Sequence, residues 1–382
     1  TDAHTGIFLN LYFLVVGLLS RFSGISPLQL MELSSFLLGP AAAFAVLHAA
    51  RRLNFDSVAQ TLAVLFVLFG SGLSGLIVLM DRLGIVSLHP GADATYHDLF
   101  PLTELAFYPY HSAAFVLMAL AVGAAARLFV PESTDPPTRQ AVAFGALLLI
   151  AGLVRPYEAV TLIVVFNVTA LIHLLSEPRW PWRRFLVTCC IVDALAVPPV
   201  AYAGFIATLP VWNSFAGHSM ELLNEGLGYF LKGFGLLWML AAVGLYFAVK
   251  DRQRSLSFVG VWAVLAAALL CLSPSYGTKL AGGSVLADGL LAAYGVRRLL
   301  QASTTLRGRQ ATIRLIVGTF AIMALTPIAV LTDIAKAGAP LVDTDLLAAG
   351  RRIRELEGDR IPVVLTDLSA GAVIPGLFGE RV

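Results

Sequence analysis

Long apolar stretches alternate with short polar connections along most of the chain. About ten of these stretches have the roughly 17 to 25 residues that an α-helix needs to cross a bilayer. With 58% hydrophobic and 13% charged residues, the chain has too little polar surface for a water-soluble domain. We therefore predict an all-α polytopic membrane protein with about ten transmembrane helices. The predicted spans are 27–49, 57–79, 110–128, 138–154, 157–177, 184–206, 226–249, 255–273, 281–299 and 311–333.

Both ends of the chain differ from this pattern. The apolar stretch 6–22 contains several polar residues, so it either spans the membrane or lies in the interface. Residues 343–357 show helical spacing and 361–366 resemble a short buried strand, which predicts a small α/β tail. The chain begins without Met, so we expect a fragment. The predicted divisions are 1–26 (end of an outer loop with an interfacial or membrane helix), 27–335 (transmembrane domain) and 336–382 (start of a truncated extracytoplasmic α/β segment).

Positive charges concentrate on every second connection. Because cytoplasmic loops of membrane proteins are enriched in Lys and Arg, the richer set is predicted to be cytoplasmic. The C-terminal tail then lies on the extracytoplasmic side. The richer set contains Arg51, Arg52, Arg127, Arg139, Arg179, Arg183, Arg184, Lys250, Arg252, Arg254, Arg297, Arg298, Arg307, Arg309 and Arg314, and the poorer set contains Arg21, Arg82, Arg155, Lys232 and Lys279.

The tetrapeptide Arg155-Pro156-Tyr157-Glu158 separates two predicted spans on the outer side. Charged residues set so tightly between helices are expected to point into a protein cavity. Two interpretations are open. In one, Arg155 and Glu158 pair with each other in a helical hairpin turn that Pro156 breaks. In the other, the planar Arg155 guanidinium binds a phosphate.

Further candidates lie on the same side. Lys279 follows a break rich in Gly and Pro just before a span, where it either holds a lipid-linked phosphate or extends to lipid headgroups. Asp2 and His4 are candidates for an acid/base pair or for half of a site for a divalent cation, Mg²⁺ or Mn²⁺. His97 and Asp98 are further candidates for binding the substrate or its phosphate. They belong to a long outer loop rich in titratable residues, for which a solvated loop is the default interpretation, and the same loop carries His89, Asp93, Glu104 and His111.

Two carboxylates, Asp193 and Asp288, fall inside predicted spans. In a transporter they would couple transport to protons or ions, and in an enzyme they would be structural groups bonded to neighbouring helices. The net charge of +2 gives no indication of nucleic acid binding. The expected partner is the lipid bilayer.

The tail carries a family resemblance. The segments Asp345-Leu-Leu-Ala-Ala-Gly-Arg-Arg-Ile-Arg-Glu-Leu, Pro362-Val-Val-Leu-Thr-Asp and Ala372-Val-Ile-Pro-Gly-Leu-Phe-Gly-Glu-Arg-Val, together with the Arg-Pro-Tyr-Glu hairpin and the Tyr-Gly-Thr-Lys break, resemble bacterial GT-C glycosyltransferases. These multi-span enzymes take sugars from polyprenyl-phosphate carriers. The resemblance implies a protein of the bacterial inner membrane.

The same resemblance assigns roles to residues. It implies an outer loop with an essential acidic residue, of which only Asp2 and His4 would be present here. It also implies a late outer-face cation for the carrier phosphate, at Lys279 or Arg155, near Tyr157 and Glu158. The expected function is transfer of a sugar from a polyprenyl-phosphate-linked donor to an unknown acceptor. A transporter or flippase, and a noncatalytic membrane scaffold, remain as alternatives.

Overall fold

The computed structural model describes residues 10–95, 100–101, 109–130, 137–176, 182–208, 227–272, 280–303, 305–337 and 352. All regular structure within these ranges is helical. The helices are α1 (Leu11–Ser23), α2 (Pro27–Arg52), α3 (Ser57–Phe69), α4 (Ser74–Arg82), α5 (Ala92–Thr95), α6 (Pro109–Leu128), α7 (Pro137–Val154), α8 (Pro156–Ser176), α9 (Trp182–Ala207), α10 (Leu227–Lys250), α11 (Ser257–Leu272), α12 (Ser284–Ala302) and α13 (Leu306–Ala337).

Each of the ten predicted spans coincides with a helix or a helix pair, which confirms the all-α polytopic fold. By length and hydropathy alone, six of the described helices can cross a membrane, or seven if the bent pair α3 and α4 forms one span. Helices α1, α7 and α11 are apolar but shorter. The predicted number of ten spans is therefore not confirmed.

The predicted span 57–79 is interrupted. Helices α3 and α4 meet at an angle of 54° across a short break. Gly72 lies in this break, where an added Cβ would come within 1.9 Å of the Lys232 carbonyl oxygen. The Leu73 N–H donates to the same carbonyl at 2.6 Å. Only glycine allows α10 to approach this closely, so the break is part of the packing between α10 and α3–α4.

Helix α12 occupies the centre of the bundle. Its residues from Ser284 to Ala293 are all buried, and it packs mainly against α10 and α3. At the α10 crossing, a Cβ on Gly244 would lie 1.9 Å from the Leu291 carbonyl oxygen. Small residues at helix crossings allow backbones to touch in membrane proteins. The pair α10 and α12 is accordingly a tightly packed core.

Peripheral helices present apolar side chains outward. Phe36 on α2 is 77% exposed, and Leu315 and Val317 on α13 are 69% and 61% exposed. Such continuous apolar exposure is unfavourable in water and suits contact with lipid chains. The exposed bands therefore mark the lipid-facing side of α2 and α13.

Described cations of the richer set lie together at one end of the bundle, which we call the cationic face. Arg297 at the end of α12 pairs with Asp56 before α3 at 2.5 Å, and Arg298 pairs with Asp251 after α10 at 2.7 Å. Arg155 lies at the other end of α7, an 18-residue helix about 27 Å long. The structure thus separates Arg155 from the described cations of the richer set, as predicted.

Residues 336–382 and their predicted helix and strand lie outside the described residues, apart from the end of α13 and Arg352. Helix α1 lies within the predicted first division and is capped by Asn10, whose side chain accepts from the Tyr12 and Phe13 N–H groups. The division of the chain into three parts stays a prediction.

Candidate active site at the junction of α7 and α8

The junction between α7 and α8 contains Arg155 and the Pro156 that begins α8. A proline is favourable at the first helical position because that residue needs no N–H bond. The Arg155 N–H closes the last turn of α7 by donating to the Ala151 carbonyl at 2.6 Å. The backbone of Arg155 is thereby fixed between two consecutive helices.

Arg155 and Glu158 form a buried ion pair. The Arg155 Nη1 atom lies 2.6 Å from Glu158 Oε1, and the two residues are 7% and 1% exposed. The structure therefore contains the pairing that the sequence offered as one of two interpretations. Charges withdrawn from water this far are tolerated only when compensated, and the ion pair supplies part of that compensation to both residues. Tyr157, between them, is 40% exposed and points outward.

Residues from α6 and α1 surround the pair. His111, near the start of α6, is buried and lies near Arg155. Asn10 donates from its side chain to the Val154 carbonyl at 2.8 Å. Neither contact was predicted from the sequence, where His111 was only one member of a loop rich in titratable residues. Polar groups from α1 and α6 thus lie at the α7–α8 junction.

A hydrogen bond connects this junction to the segment before α12. Thr161, in the second turn of α8, donates from its hydroxyl to the Leu280 carbonyl at 2.6 Å. Leu280 is the residue that directly follows Lys279 in the sequence. The two segments that carry the predicted phosphate cations are therefore tied together through described residues.

The structure changes the interpretation of Asp93. It was predicted as part of a solvated loop, but it is 1% exposed. Its Oδ2 atom accepts from the Gly72 N–H at 2.9 Å and from the Thr326 hydroxyl at 2.8 Å. The Thr326 hydroxyl also accepts from the Gly75 N–H. Asp93 therefore satisfies backbone groups that the α3–α4 break releases from helical bonding.

The two intramembrane carboxylates have partners within the bundle. Asp193 on α9 accepts from the Asn167 amide on α8 at 3.0 Å. Asp288 lies on the buried helix α12, close to Trp238 on α10. Both contacts join neighbouring helices, in agreement with the structural interpretation of these residues.

Several predicted site residues lie outside the described residues, namely Asp2, His4, His97, Asp98 and Lys279. Among the residues that the structure does describe, no three His, Cys, Asp or Glu side chains cluster in a way that could hold a metal ion. The described part of the junction offers one carboxylate, and it is occupied by Arg155.

Comparison with known proteins identifies the fold. No family model and no curated protein matches the chain. The structure is similar to ArnT from Cupriavidus metallidurans in the apo state, with a TM-score of 0.56 at 16% identity, over 98% of this chain and 75% of that one. The chain has the fold of ArnT. The same ArnT bound to undecaprenyl phosphate matches with a TM-score of 0.54 at 15% identity, over 97% of this chain and 74% of that one.

The ArnT fold accounts for the arrangement of helices from one end of the described chain to the other, because the similarity extends over nearly its whole length. It agrees with the polytopic membrane architecture predicted from hydropathy. At this identity the ArnT likeness concerns the fold, and the chemistry has to be argued from the residues of this chain.

Proposed function

We propose that this protein is a membrane glycosyltransferase that transfers a sugar from a polyprenyl-phosphate-linked donor to an acceptor at the extracytoplasmic face of the bacterial inner membrane. Two independent lines support the proposal. The tail, hairpin and late break resemble GT-C enzymes in sequence, and the fold is that of ArnT, itself a GT-C glycosyltransferase. One of the matching ArnT structures is bound to undecaprenyl phosphate.

The observation that carries the proposal is the Thr161–Leu280 hydrogen bond. It brings the α8 turn that follows Arg155 and Glu158 to the covalent neighbour of Lys279. A carrier phosphate at this end of the bundle would meet cations from two segments, while its isoprenoid chain stays in hydrocarbon. This placement suits a lipid-linked donor, because its sugar phosphate requires a polar environment and its isoprenoid chain requires hydrocarbon.

The reaction is a displacement at the anomeric carbon. The acceptor hydroxyl oxygen forms a bond to this carbon, and the bond between the carbon and the phosphate oxygen breaks. Polyprenyl phosphate leaves with the electron pair, and a general base takes the hydroxyl proton. We propose that Lys279 stabilises the charge on the departing phosphate. Arg155, already paired with Glu158, adds positive potential without being the main ligand.

For the base we propose the carboxylate of Asp2 or the imidazole of His4, with His97 and Asp98 as further titratable groups of the outer loops. Tyr157, which is exposed beside the ion pair, is proposed to contact the substrate. If a divalent cation takes part, Asp2 and His4 are the residues proposed to bind it, and charge neutralisation at the phosphate is what it would supply.

Binding of undecaprenyl phosphate to the full chain in detergent tests the phosphate site. A charge-assisted hydrogen bond contributes about 1.5–3 kcal/mol, so Lys279→Ala is expected to weaken binding roughly tenfold to a hundredfold. Lys279→Arg is expected to retain most of the affinity. Arg309→Ala is the matched control, because it removes one charge from an exposed position on α13.

Unchanged affinity in Lys279→Ala would remove this lysine from the site. Glycosyl transfer itself is tested by presenting a polyprenyl-phosphate sugar and following the release of polyprenyl phosphate by mass spectrometry. Asp2→Asn and His4→Gln are expected to abolish release while leaving undecaprenyl phosphate binding intact. A proton-driven uptake into proteoliposomes that is lost in Asp193→Asn would favour the transporter instead.

A further inference from the structure

A cavity of about 440 Å³ opens between α2, α6 and α7 near the cationic face. Its mouth is lined by His48 and Arg52 from α2, Arg127 from α6 and Arg139 from α7, and we call it the basic cavity. His48 and Arg139 are exposed, whereas Arg52 and Arg127 are half-buried. The cavity is therefore reachable from outside but holds part of its positive charge below the surface.

The position of the α2 side chains is set by a close helix contact. A Cβ on Gly123 of α6 would lie 3.0 Å from His48 Cδ2 and 3.4 Å from Arg52 Cγ. These two side chains therefore lie against α6 at Gly123, and they line the same cavity as the cations of the other two helices. Three guanidinium groups and an imidazole thus share one opening, formed by residues that are distant in sequence.

Positive charges gathered in this way repel each other and favour an anion. Within the described ranges, none of the three guanidinium groups forms an ion pair with a carboxylate. This contrasts with Arg297 and Arg298 on the same face, which pair with Asp56 and Asp251. The basic cavity concentrates cations that the described part of the bundle does not neutralise.

The lining of the basic cavity also includes apolar residues, among them Leu120 on α6 and Leu147 on α7. Leu120 is seven residues from Arg127 and Leu147 eight from Arg139, so this apolar part lies roughly 10–12 Å farther along the helices than the cations. A free anion would leave this part unused. An anionic headgroup attached to an acyl chain would use both parts.

We propose that the basic cavity binds an anionic phospholipid of the leaflet at the cationic face, with its phosphate between Arg52, Arg127 and Arg139. Its acyl chain lies along Leu120 and Leu147. Basic pockets between transmembrane helices are suited to such headgroups. The site is separated from the α7–α8 junction by the length of α7, and the proposal does not depend on glycosyl transfer.

Binding of fluorescent phosphatidylglycerol and fluorescent phosphatidylcholine to the delipidated full chain tests the proposal. The triple variant Arg52→Gln, Arg127→Gln, Arg139→Gln is expected to weaken phosphatidylglycerol binding on the order of a hundredfold, since each cation near the headgroup contributes about a fivefold gain in affinity. The matched control is Arg307→Gln, Arg309→Gln, Arg314→Gln, which removes the same charge from exposed positions at the start of α13. It is expected to change binding less than twofold.

A single substitution separates loss of lipid binding from loss of folding. The single change Arg139→Gln affects an exposed residue, so it is expected to fold normally and to weaken binding about fivefold to tenfold. Equal losses in both triple variants would overturn the proposal in favour of general surface attraction. Full displacement of the lipid by millimolar inorganic phosphate would overturn the lipid assignment.

The connection 131–136, which carries Glu132 and Asp135, lies outside the described residues. Its carboxylates offer an internal alternative to the lipid phosphate. The double variant Glu132→Gln, Asp135→Asn distinguishes the carboxylates from the lipid phosphate. We expect its phosphatidylglycerol affinity to be unchanged. A marked gain in affinity would show that these carboxylates occupy the basic cavity and would overturn the proposal.

Discussion

The Thr161 hydroxyl donates a 2.6 Å hydrogen bond to the Leu280 carbonyl across a separation of 119 residues. It also contacts the Tyr157 carbonyl of its own helix at 3.1 Å. One side chain therefore connects the turn of α8 that carries Glu158 to the segment that leads into the central helix α12. Leu280 directly follows Lys279 in the sequence, and Glu158 is paired with Arg155.

Replacing Thr161 by Val keeps the shape of the side chain but removes the donor. We expect a loss of about 1 kcal/mol in the free energy of unfolding, the usual net value of such a bond, and a severalfold loss of undecaprenyl phosphate affinity. Thr169→Val is the matched control, since the Thr169 hydroxyl bonds only to the Val165 carbonyl of α8 itself. If the two variants bind the lipid equally, the contact does not organise the site.

The Arg155–Glu158 pair should behave as a buried pair. Removing one partner takes the 2.6 Å ion-pair contact away from a buried charge, so Arg155→Gln and Glu158→Gln are each expected to cost about 3–5 kcal/mol in the free energy of unfolding. The double variant should cost less than the sum of the two single changes. Thermal unfolding of all four proteins in one detergent measures this.

The Asp56–Arg297 pair provides the comparison, because its side chains are 42% and 28% exposed. Pairs of this kind contribute at most about 1 kcal/mol. If Arg297→Gln proved as costly as Glu158→Gln, burial would not be the reason for the expected difference between the two pairs.

The environment of Asp56 predicts that the stability of the folded protein depends on pH. Partial burial raises its pKa, but hydrogen bonds from the Ala59 N–H and the Arg297 guanidinium outweigh this effect and hold the pKa below the usual 3.8. A lowered pKa stabilises the folded state above pH 3.8, and this stability is lost as the pH falls through the folded-state value. Unfolding temperatures measured between pH 3 and 6 should therefore fall more steeply in the wild type than in Asp56→Asn.

We expect Asp93 to stabilise the folded protein as a hydrogen-bond acceptor. Asp93→Ala removes the acceptor of the Gly72 N–H and the Thr326 hydroxyl, and buried groups without partners cost about 1–3 kcal/mol each. Asp93→Asn keeps one carbonyl oxygen and is expected to be milder. Asp81→Ala, at an exposed position near the end of α4, controls for loss of an acidic residue. Unfolding temperatures that rank Asn below Ala would contradict this role.

Hydropathy predicted the helices well because each long apolar stretch reflects a local property of the chain. It predicted 57–79 as a single span because it averages over the break. The sequence Gly70-Ser71-Gly72 was the available signal, since two glycines close together rarely continue a helix. The bend itself depends on the Lys232 carbonyl of α10, a contact that no local pattern contains.

The site was predictable only in part for the same reason. The pairing of Arg155 with Glu158 follows from their spacing of three residues on one turn, and the sequence offered it as one of two alternatives. The burial of Asp93 could not be foreseen, because its partners Gly72 and Thr326 come from distant segments. The contact between Thr161 and Leu280 is equally non-local.

The crossing of α10 and α12 at Gly244 restricts how this protein can move. Two backbones in direct contact can neither slide nor rotate past each other without losing that fit. We therefore expect the central pair to stay fixed, and rearrangements of the bundle to occur in outlying helices such as α1 and α13. A spectroscopic label on α13 should then report motions that the same label on α12 does not.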